Sequence, residues 1–247
     1  MHRFFVPAEW IEAPKVTLLG NTAHQIKNVL RMKPGRKVIV LDDFGQEYTV
    51  TLTHVAKSVV VGEIIKTRAA QGEPELKISL YQGTLKAQKF EWVLQKGTEL
   101  GITEFIPVIS ERSVLGDVEV IDRKALRWER IIQEAAEQSK RGMLPELRPA
   151  MMFSQACQRA GRMEGVGLLA WENAEANSLR SALEAVAEKP ARLSLFIGSE
   201  GGFTLDEARL AHGYNIQPVW LGRRILRAET AGLVAAAAIF YHFGEME

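Results

Sequence analysis

The sequence IGSEGGF at residues 197–203 and the sequence LGRRILRAETA at residues 221–231 decide how the rest of the chain is interpreted. Each follows a short apolar run, at residues 193–197 and 218–221, and each pattern predicts a buried strand that ends in a glycine-containing loop. Because glycine has no Cβ, the backbone of such loops can approach a ligand closely. Since α/β sheets usually bind ligands at the carboxyl ends of their strands, the two loops predict one shared pocket.

From residue 76 onward, strand patterns alternate with helical patterns, which is typical of an α/β fold with a mostly parallel sheet. The predicted strands are 77–82, 104–109, 166–170, 193–197 and 218–221. The predicted helices are 88–100, 122–139, 179–187, 205–212 and 229–243. The last of these helices contains the run AGLVAAAA at 231–238, and such small residues allow close packing against neighbouring segments. An alanine-rich segment is otherwise simply a good helix.

Residues 1–70 have a different pattern, with short β-type runs separated by turn residues such as Pro34-Gly35. The runs are 4–6, 16–18, 37–41, 47–52 and 58–65, and one helix is predicted at 22–30. This arrangement predicts a small β-barrel. Residues 69–75 have no apolar anchor and form the predicted linker, so the expected domains are 1–70 and 76–247.

The composition is that of an ordinary globular protein, with 247 residues, 47% hydrophobic and 25% charged. Cys157 is the single cysteine, which excludes an intrachain disulfide and fits a reducing compartment. The N-terminal residues lack the order of a signal peptide, and no apolar run is long enough to span a bilayer. We therefore expect a cytoplasmic protein without a membrane partner.

The net charge of +1 is unevenly distributed. Residues 1–70 hold 10 Lys and Arg against 6 Asp and Glu, whereas the remainder holds 21 against 24. A mildly basic small domain beside a neutral larger one suits RNA docking, because neutralisation of phosphates drives non-specific affinity for RNA. On composition alone, a solvated surface explains the surplus equally well.

Several further motifs accompany the two loops: LQKGTELGI at 94–102, ERS at 111–113, EAAEQSKR at 134–141, HRFF at 2–5 and HQIKNVLR at 24–31. Together they resemble the small-subunit (16S) ribosomal RNA uracil-N3 methyltransferase family of the SPOUT class. The resemblance covers nearly the whole chain. It implies a C-terminal SPOUT domain that binds S-adenosylmethionine in a trefoil knot, an N-terminal barrel of the PUA or OB type, and a homodimer that methylates 16S rRNA.

Two positions depart from the family pattern. Ser199 stands where the family usually has proline, and Ala228 where it usually has threonine. Ser199 is expected to loosen the first loop, and Ala228 removes a hydroxyl that would be near the cofactor or the base.

The resemblance implies cofactor contacts along both loops and at two nearby positions. In the first loop the backbone would meet the adenosine and methionine parts of the cofactor, and the second loop would form an apolar slot for adenine. A tight turn and ordinary core packing at a strand end are the alternatives. The expected cofactor-binding residues are Leu169, Ile197, Gly198, Gly201, Gly202, Leu221, Gly222, Ile225, Leu226 and Ala231.

Methylation of uracil N3 requires loss of its proton and stabilisation of the resulting negative charge. Arg227 and Glu229, at the start of the last predicted helix, suit these two roles as cation and proton acceptor. The alternative for Glu229 is a carboxylate favoured by the helix dipole and paired with the arginine. Glu200 also remains a candidate for the acidic group.

Candidate RNA-binding residues are Arg3, Lys27, Arg31, Arg112 and Arg141. Any single arginine among them is more often a surface salt-bridge partner. The five histidines show no HExxH or similar spacing and Cys157 stands alone, so we expect no metal site.

Three hypotheses follow from the sequence. The first is the methyltransferase, and the second is an RNA-binding module of the same fold that has lost catalysis, as the two departures would allow. The third is a nucleotide-dependent enzyme of the Rossmann type. The third is disfavoured, because no GxGxxG opens an early strand-turn-helix unit and no GxxxxGK[ST] occurs.

Overall fold

A computed structural model describes residues 1–114 and 116–246, with only the backbone at Ala87. The predicted C-terminal domain therefore includes two residues, Leu115 and Glu247, that lie outside the described part. The chain divides into two compact units. Unit 1 comprises Met1–Glu73 and Ala136–Leu144, and unit 2 comprises Pro74–Ala135 and the chain from Pro145 onward.

Unit 1 is built on a six-stranded sheet in the order β1-β4-β5-β6-β3-β2. Its strands are β1 (Arg3–Phe5), β2 (Ile11–Glu12), β3 (Lys15–Leu19), β4 (Lys37–Leu41), β5 (Gln46–Val55) and β6 (Val59–Ala69). Strands β1 and β4 pair in parallel, and the other neighbours are antiparallel. Alternate residues such as Val16 and Leu18 point inward and are fully buried, as expected for a sheet with one face on the core.

The helical segment of unit 1 is irregular. Helix α1 (Gly20–His24) continues directly into a π-helical turn at Gln25–Val29. The sequence predicted a helix at 22–30, so its existence is confirmed, whereas its start and its π-helical geometry were not predicted. A short 3₁₀ helix at Ala8–Trp10 and strand β2 were also not predicted.

Unit 2 contains a seven-stranded parallel sheet in the order β10-β8-β7-β12-β11-β13, with β9 paired to β8. Its strands are β7 (Lys77–Gly83), β8 (Glu104–Ile109), β9 (Glu146–Leu147), β10 (Met151–Met152), β11 (Val166–Ala170), β12 (Arg192–Ile197) and β13 (Ile216–Val219). Its helices are α2 (Ala87–Leu100), α3 (Val118–Asp122), α4 (Ala125–Ser139), α5 (Phe153–Gly161), α6 (Leu179–Glu184), α7 (Leu205–Gly213) and α8 (Ala228–His242). The last residues of α4 belong to unit 1.

The central strands of this sheet are apolar on both faces. In β7, Leu80 belongs to one buried cluster and its neighbour Tyr81 to another, and in β12, Leu195 and Phe196 divide in the same way. Successive side chains of a strand point to opposite faces, so these two clusters are the cores on the two sides of the sheet. The continuous apolar runs in the sequence therefore correspond to strands covered by helices on both faces.

Three sequence-based boundaries in unit 2 were wrong. The helix predicted at 122–139 is α4, which begins at Ala125, and the separate helix α3 that precedes it was not predicted. The strand predicted at 218–221 is β13 (Ile216–Val219), because the Trp220 N–H leaves the sheet and donates to the carbonyl of Asn177 over 2.8 Å. The helix predicted to reach residue 187 ends at Glu184.

Helix α5 and the short strands β9 and β10 were not predicted. The signal for α5 was present in the sequence, because Phe153, Ala156, Cys157 and Ala160 follow helical spacing and are all buried. Within the described ranges, no helix is long and apolar enough to cross a membrane.

Candidate active site

A cavity of ≈ 660 Å³ lies in unit 2 where strands β11, β12 and β13 end. The segments that follow these three strands form its wall, and α2 and the start of α8 complete it. The lining residues are Lys89, 170–173, Glu175, 197–202, 220–229 and Ala231. The shared pocket predicted from the two loops is therefore present, at the edge of the parallel sheet where ligands usually bind.

The first loop follows β12 and is folded tightly on itself. The N–H of Gly202 donates to the carbonyl of Ser199 over 3.0 Å, which closes a turn. A Cβ added at Gly198 would lie 2.9 Å from the Cα of Gly202, closer than side chains are tolerated. The loop can therefore keep this conformation only with glycine at position 198, and its backbone faces the cavity directly.

The first loop is fastened to the segment at residues 110–113. Ser199 Oγ donates to the carbonyl of Arg112 over 3.0 Å, and Arg112 Nη1 donates to the carbonyl of Gly201 over 3.0 Å. Ser199 is also buried. The expectation that Ser199 loosens this loop was wrong, because its hydroxyl anchors the loop to a neighbouring segment.

The second loop follows β13 and presents both apolar and cationic groups. Leu221 and Leu226 are half-buried and pack on the core, whereas Ile225 is 91% exposed. Gly222 has a φ of +116°, a conformation that residues with a Cβ rarely adopt, and a Cβ there would meet no atom within 4 Å. The glycine is thus required by backbone geometry, and the space in front of it is open.

Four charged groups converge where the two loops meet α2. Glu229, in the first turn of α8, has its Oε2 3.5 Å from Lys89 Nζ and its Oε1 4.0 Å from Arg227 Nη1. Lys89 Nζ also lies 3.3 Å from Oε1 of Glu200 in the first loop. The Arg227 side chain is 81% exposed, whereas that of Glu229 is 15% exposed. The site thus combines an exposed cation at the cavity with a largely buried carboxylate.

Comparison with known proteins identifies the domain families to which the two parts of the chain are similar. An RNA methyltransferase domain model matches residues 72–240, and an RNA methyltransferase PUA domain model matches residues 18–65. Ribosomal RNA small subunit methyltransferase E of Bacillus subtilis is 35% identical over 98% of this chain and 96% of that relative. The chain belongs to the ribosomal RNA small subunit methyltransferase E family.

Solved structures of similar proteins agree with this assignment. Ribosomal RNA small subunit methyltransferase E of Neisseria gonorrhoeae, bound to S-adenosyl methionine, is 31% identical with a TM-score of 0.88, and the match covers all of both chains. A Legionella pneumophila methyltransferase in complex with the same cofactor is 30% identical with a TM-score of 0.87, covering 97% of this chain and 96% of that one. These similarities confirm the expected SPOUT and PUA-type fold.

Within this family framework, nearly all residues predicted as cofactor contacts line the cavity, and so do Arg227 and Glu229. Leu169 is the exception. Its side chain is fully buried in the core with Phe196 and Phe203, and its neighbour Ala170 lines the cavity instead. The reason is the two-residue alternation of β11, which turns Leu169 away from the cavity.

Two of the predicted RNA-binding arginines are structural in unit 1. The Arg141 side chain is 3% exposed and binds the Glu73 carboxylate through Nη2 and Nε, at 2.7 and 2.9 Å. Arg3 Nη1 is 3.0 Å from Glu47 and its Nη2 donates to the carbonyl of Arg141. Both arginines are enclosed by protein partners, so the structure contradicts their prediction as phosphate contacts.

These ion pairs lower the pKa of both acidic partners. Burial by itself would raise the pKa of Glu73, but the hydrogen bonds from Arg141 and from the backbone of Gly142 and Met143 outweigh it, and the pKa is lowered. Burial likewise opposes ionisation of Glu47, and the bonds from Arg68 and Arg3 lower its pKa overall. These carboxylates are therefore charged partners within unit 1.

The other three RNA candidates are exposed. Lys27 lies on the π-helical turn and Arg31 just after it, and Arg112 lies beside the first loop of the cavity. The cavity also contains charged residues that the sequence interpretation did not predict: Lys89, Glu172, Glu175, Arg223 and Arg224. Arg223 and Arg224 were visible inside the quoted motif. Lys89 and Glu172 come from other segments, and only the fold brings them to the loops.

Proposed function

We propose that this chain transfers a methyl group from S-adenosylmethionine to N3 of a specific uridine in the 16S rRNA of the small ribosomal subunit. The observation that carries the proposal is that both glycine loops, Arg227 and Glu229 line one cavity at the carboxyl ends of the sheet. Family membership supports the same reaction, since relatives of nearly the same length are named ribosomal RNA small subunit methyltransferase E.

The residues of the cavity fit S-adenosylmethionine. Gly198 and Gly222 expose the backbone where a Cβ would be excluded or strained. Leu221 and Leu226 supply apolar surface for adenine, and the Glu172 carboxylate, which faces Gly202, can accept hydrogen bonds from hydroxyl or ammonium groups. The proposed cofactor contacts are Ile197, Gly198, Gly201, Gly202, Leu221, Gly222, Ile225, Leu226 and Ala231. Leu169 would contact the cofactor only through its backbone, because its side chain is buried in the core.

When bound, S-adenosylmethionine supplies a methyl group on a positively charged sulfur. The protein must orient the uracil and remove the proton from N3. Glu229 accepts that proton on its carboxylate, so the N3–H bond breaks as an O–H bond forms. Arg227 stabilises the negative charge that develops on the uracil ring and its carbonyl oxygens.

We assign one role to each of the two domains predicted from the sequence. Residues 1–70 dock the RNA, and residues 76–247 carry the methyl transfer. The stretch from residue 13 to residue 41 contains six lysines and arginines and no acidic residue, which supports docking of a phosphate backbone there. Lys27 and Arg31 belong to this stretch, and Arg112 is the proposed RNA contact next to the cavity.

Three further features belong to this proposal. The chain works as a homodimer, and the exposure of Ile225 at the cavity supports a site that a second protomer completes. The C-terminal segment forms a trefoil knot, which the burial of the small residues Ala231, Gly232, Ala235 and Ala236 in α8 supports. The enzyme works in the cytoplasm on rRNA of the assembled or assembling small subunit.

The catalytically impaired alternative is less well supported. It depended on Ser199 and Ala228, and Ser199 holds the first loop in place through Arg112. Ala228 lines the cavity at the start of α8, and both Arg227 and Glu229 are retained beside it. A Rossmann-type enzyme is disfavoured by the family match.

The deciding experiment uses purified protein, labelled S-adenosylmethionine and small ribosomal subunits from a strain that lacks this activity. Nucleoside analysis of the RNA should give N3-methyluridine as the single labelled product. Cofactor binding without any methylated nucleoside would favour the impaired module, and absence of cofactor binding would overturn the methyltransferase proposal.

A further inference from the structure

Lys89 occupies a position that neither loop supplies. It lies in the first turn of α2, and its Nζ is 3.3 Å from Glu200 Oε1 and 3.5 Å from Glu229 Oε2. Glu200 belongs to the first loop and Glu229 follows the second. One cation from a third element therefore joins the carboxylates of both loops at the cavity.

The two carboxylates are not equivalent. Glu200 Oε1 accepts a hydrogen bond from Lys89. Glu229 Oε2 is buried and has no hydrogen-bond partner among the described residues. A buried carboxylate is unfavourable unless an opposite charge is close, and Lys89 is the nearer of the two cations around Glu229. Lys89 thus compensates the charge of the Glu229 carboxylate, while Glu229 Oε2 accepts no hydrogen bond from the described residues.

We infer that Lys89 is a positioning residue that holds the Glu229 carboxylate charged and available as the acceptor of the uracil N3 proton, while Glu200 anchors Lys89. This inference rests on the proposed function and deepens it, because it assigns to Lys89 the positioning of the group that takes the proton. It also separates the two acidic candidates. Glu229 lines the cavity and its Oε2 accepts no hydrogen bond within the described residues, whereas the Glu200 Oε1 is engaged by the lysine.

The geometry explains why a lysine suits this position. A flexible ammonium can follow the Glu229 carboxylate when that group changes position. When Glu229 gains a proton and loses its charge, the ammonium remains paired with Glu200. Because the ammonium donates three hydrogen bonds, it can contact both carboxylates at once. An uncharged side chain of the same length would leave the buried carboxylate with the more distant and largely exposed Arg227.

The first test compares Lys89→Met, Lys89→Arg and the matched control Lys96→Met. Lys96 lies on the same helix and pairs with Glu99 at 2.7 Å outside the cavity, so its replacement also breaks one ion pair. Lys89→Met should lower kcat about 100-fold. Lys89→Arg should restore most of the rate, and Lys96→Met should match the wild type.

The second test does not use activity. A double-mutant cycle on the thermal unfolding of the cofactor-free protein combines Lys89→Met with Glu229→Gln. Lys89→Met alone should lower Tm by about 2–4 °C, because it strands a buried charge. In the Glu229→Gln background the same replacement should change Tm little. The kcat effects of the two replacements should likewise fail to add.

The outcomes are distinguishable. If the wild-type protein produces no N3-methyluridine, the proposed function fails and this inference falls with it. If the wild type is active and Lys89→Met retains near-normal kcat, or if its effects add fully to those of Glu229→Gln, the role of Lys89 is overturned while the proposed function stands. Coupled losses in kcat and Tm with recovery by arginine would establish the inference.

Discussion

Ser199 and Arg112 form a reciprocal connection: the serine hydroxyl donates to the arginine carbonyl over 3.0 Å, and the arginine guanidinium donates to the carbonyl of Gly201 in the same loop as the serine. A proline at position 199 would stiffen the loop through its ring but could not donate this bond. This chain therefore fixes its first loop by a side-chain bond from Ser199.

Replacing Ser199 by alanine should weaken this connection measurably. Loss of one buried hydrogen bond costs about 1 kcal/mol in the free energy of unfolding, which corresponds to a decrease in Tm of about 2–4 °C in a chain of this size. Thermal unfolding measures the first effect, and calorimetric titration should give a weaker Kd for S-adenosylmethionine. The exposed Ser58→Ala variant is the control. Equal Tm values for Ser199→Ala and the wild type would show that the bond contributes no stability.

Much of the fold follows from local pattern. Continuous apolar runs located the central strands of unit 2, because a parallel sheet covered on both faces needs apolar residues at every position. The short strands β9 and β10 could not be found in this way, since two residues carry no periodicity. The end of β13 depended on the partner of the Trp220 N–H, which only the folded chain determines.

The candidate site was partly predictable for a related reason. Its loops are contiguous in sequence, so glycine spacing could point to them, whereas Lys89 is brought to Glu229 from 140 positions away by the packing of α2 beside α8. Arg3 and Arg141 were misjudged because charge alone does not reveal a buried carboxylate partner. Their acidic partners, Glu47 and Glu73, are also distant in sequence.

Gly222 offers a direct test of the second loop. Alanine at this position would have to adopt a φ of +116°, so Gly222→Ala should distort the loop, cost about 1–2 kcal/mol and weaken cofactor binding about tenfold. The control is Gly213→Ala at the end of α7, where the backbone is outside the left-handed region and an added Cβ meets nothing within 4 Å. Unchanged cofactor affinity in Gly222→Ala would argue against a role for this backbone in the pocket.

Arg227→Ala should separate chemistry from folding. The side chain is largely exposed, so Tm should stay at the wild-type value, whereas kcat should fall about 10²–10³-fold because charge stabilisation in the transition state is lost. Single-turnover kinetics with saturating cofactor and RNA measures the chemical step. Arg209→Ala, which removes another exposed arginine of unit 2, should retain full activity. Near-normal turnover in Arg227→Ala would discard the catalytic role of Arg227.

The exposed and buried cations of unit 1 should behave differently. Lys27→Ala and Arg31→Asn should weaken RNA binding and each reduce the slope of log affinity against log salt by about 0.7–0.9. Asparagine is chosen because Arg31 has a φ of 50°, which asparagine tolerates.

Arg141→Ala provides the contrast, because it removes the buried partner of Glu73 and should destabilise the protein by about 3–5 kcal/mol. Filter binding over a salt series and thermal unfolding measure the two effects. A stable Arg141→Ala protein with a reduced salt slope would restore Arg141 as an RNA contact.

Glu104 should make stability depend on pH in the acidic range. Burial by itself would raise its pKa, but hydrogen bonds from Ser79, Arg148 and Arg159, all at 2.6 Å, outweigh burial and lower the pKa. A carboxylate whose pKa is lower in the folded state binds fewer protons there than in the unfolded chain. Its stabilising contribution is therefore complete above the unfolded pKa of about 4.3 and is lost as the pH falls through the folded value.

Replacing Glu104 by glutamine should accordingly lower Tm at pH 7 and remove part of the acid dependence, so that the difference from the wild type narrows below about pH 4. Thermal unfolding from pH 7 to pH 3 tests this. Glu99→Gln, which breaks the exposed pair with Lys96, should run parallel to the wild type at all pH values. A constant difference between Glu104→Gln and the wild type would mean that protonation of Glu104 does not contribute to acid unfolding.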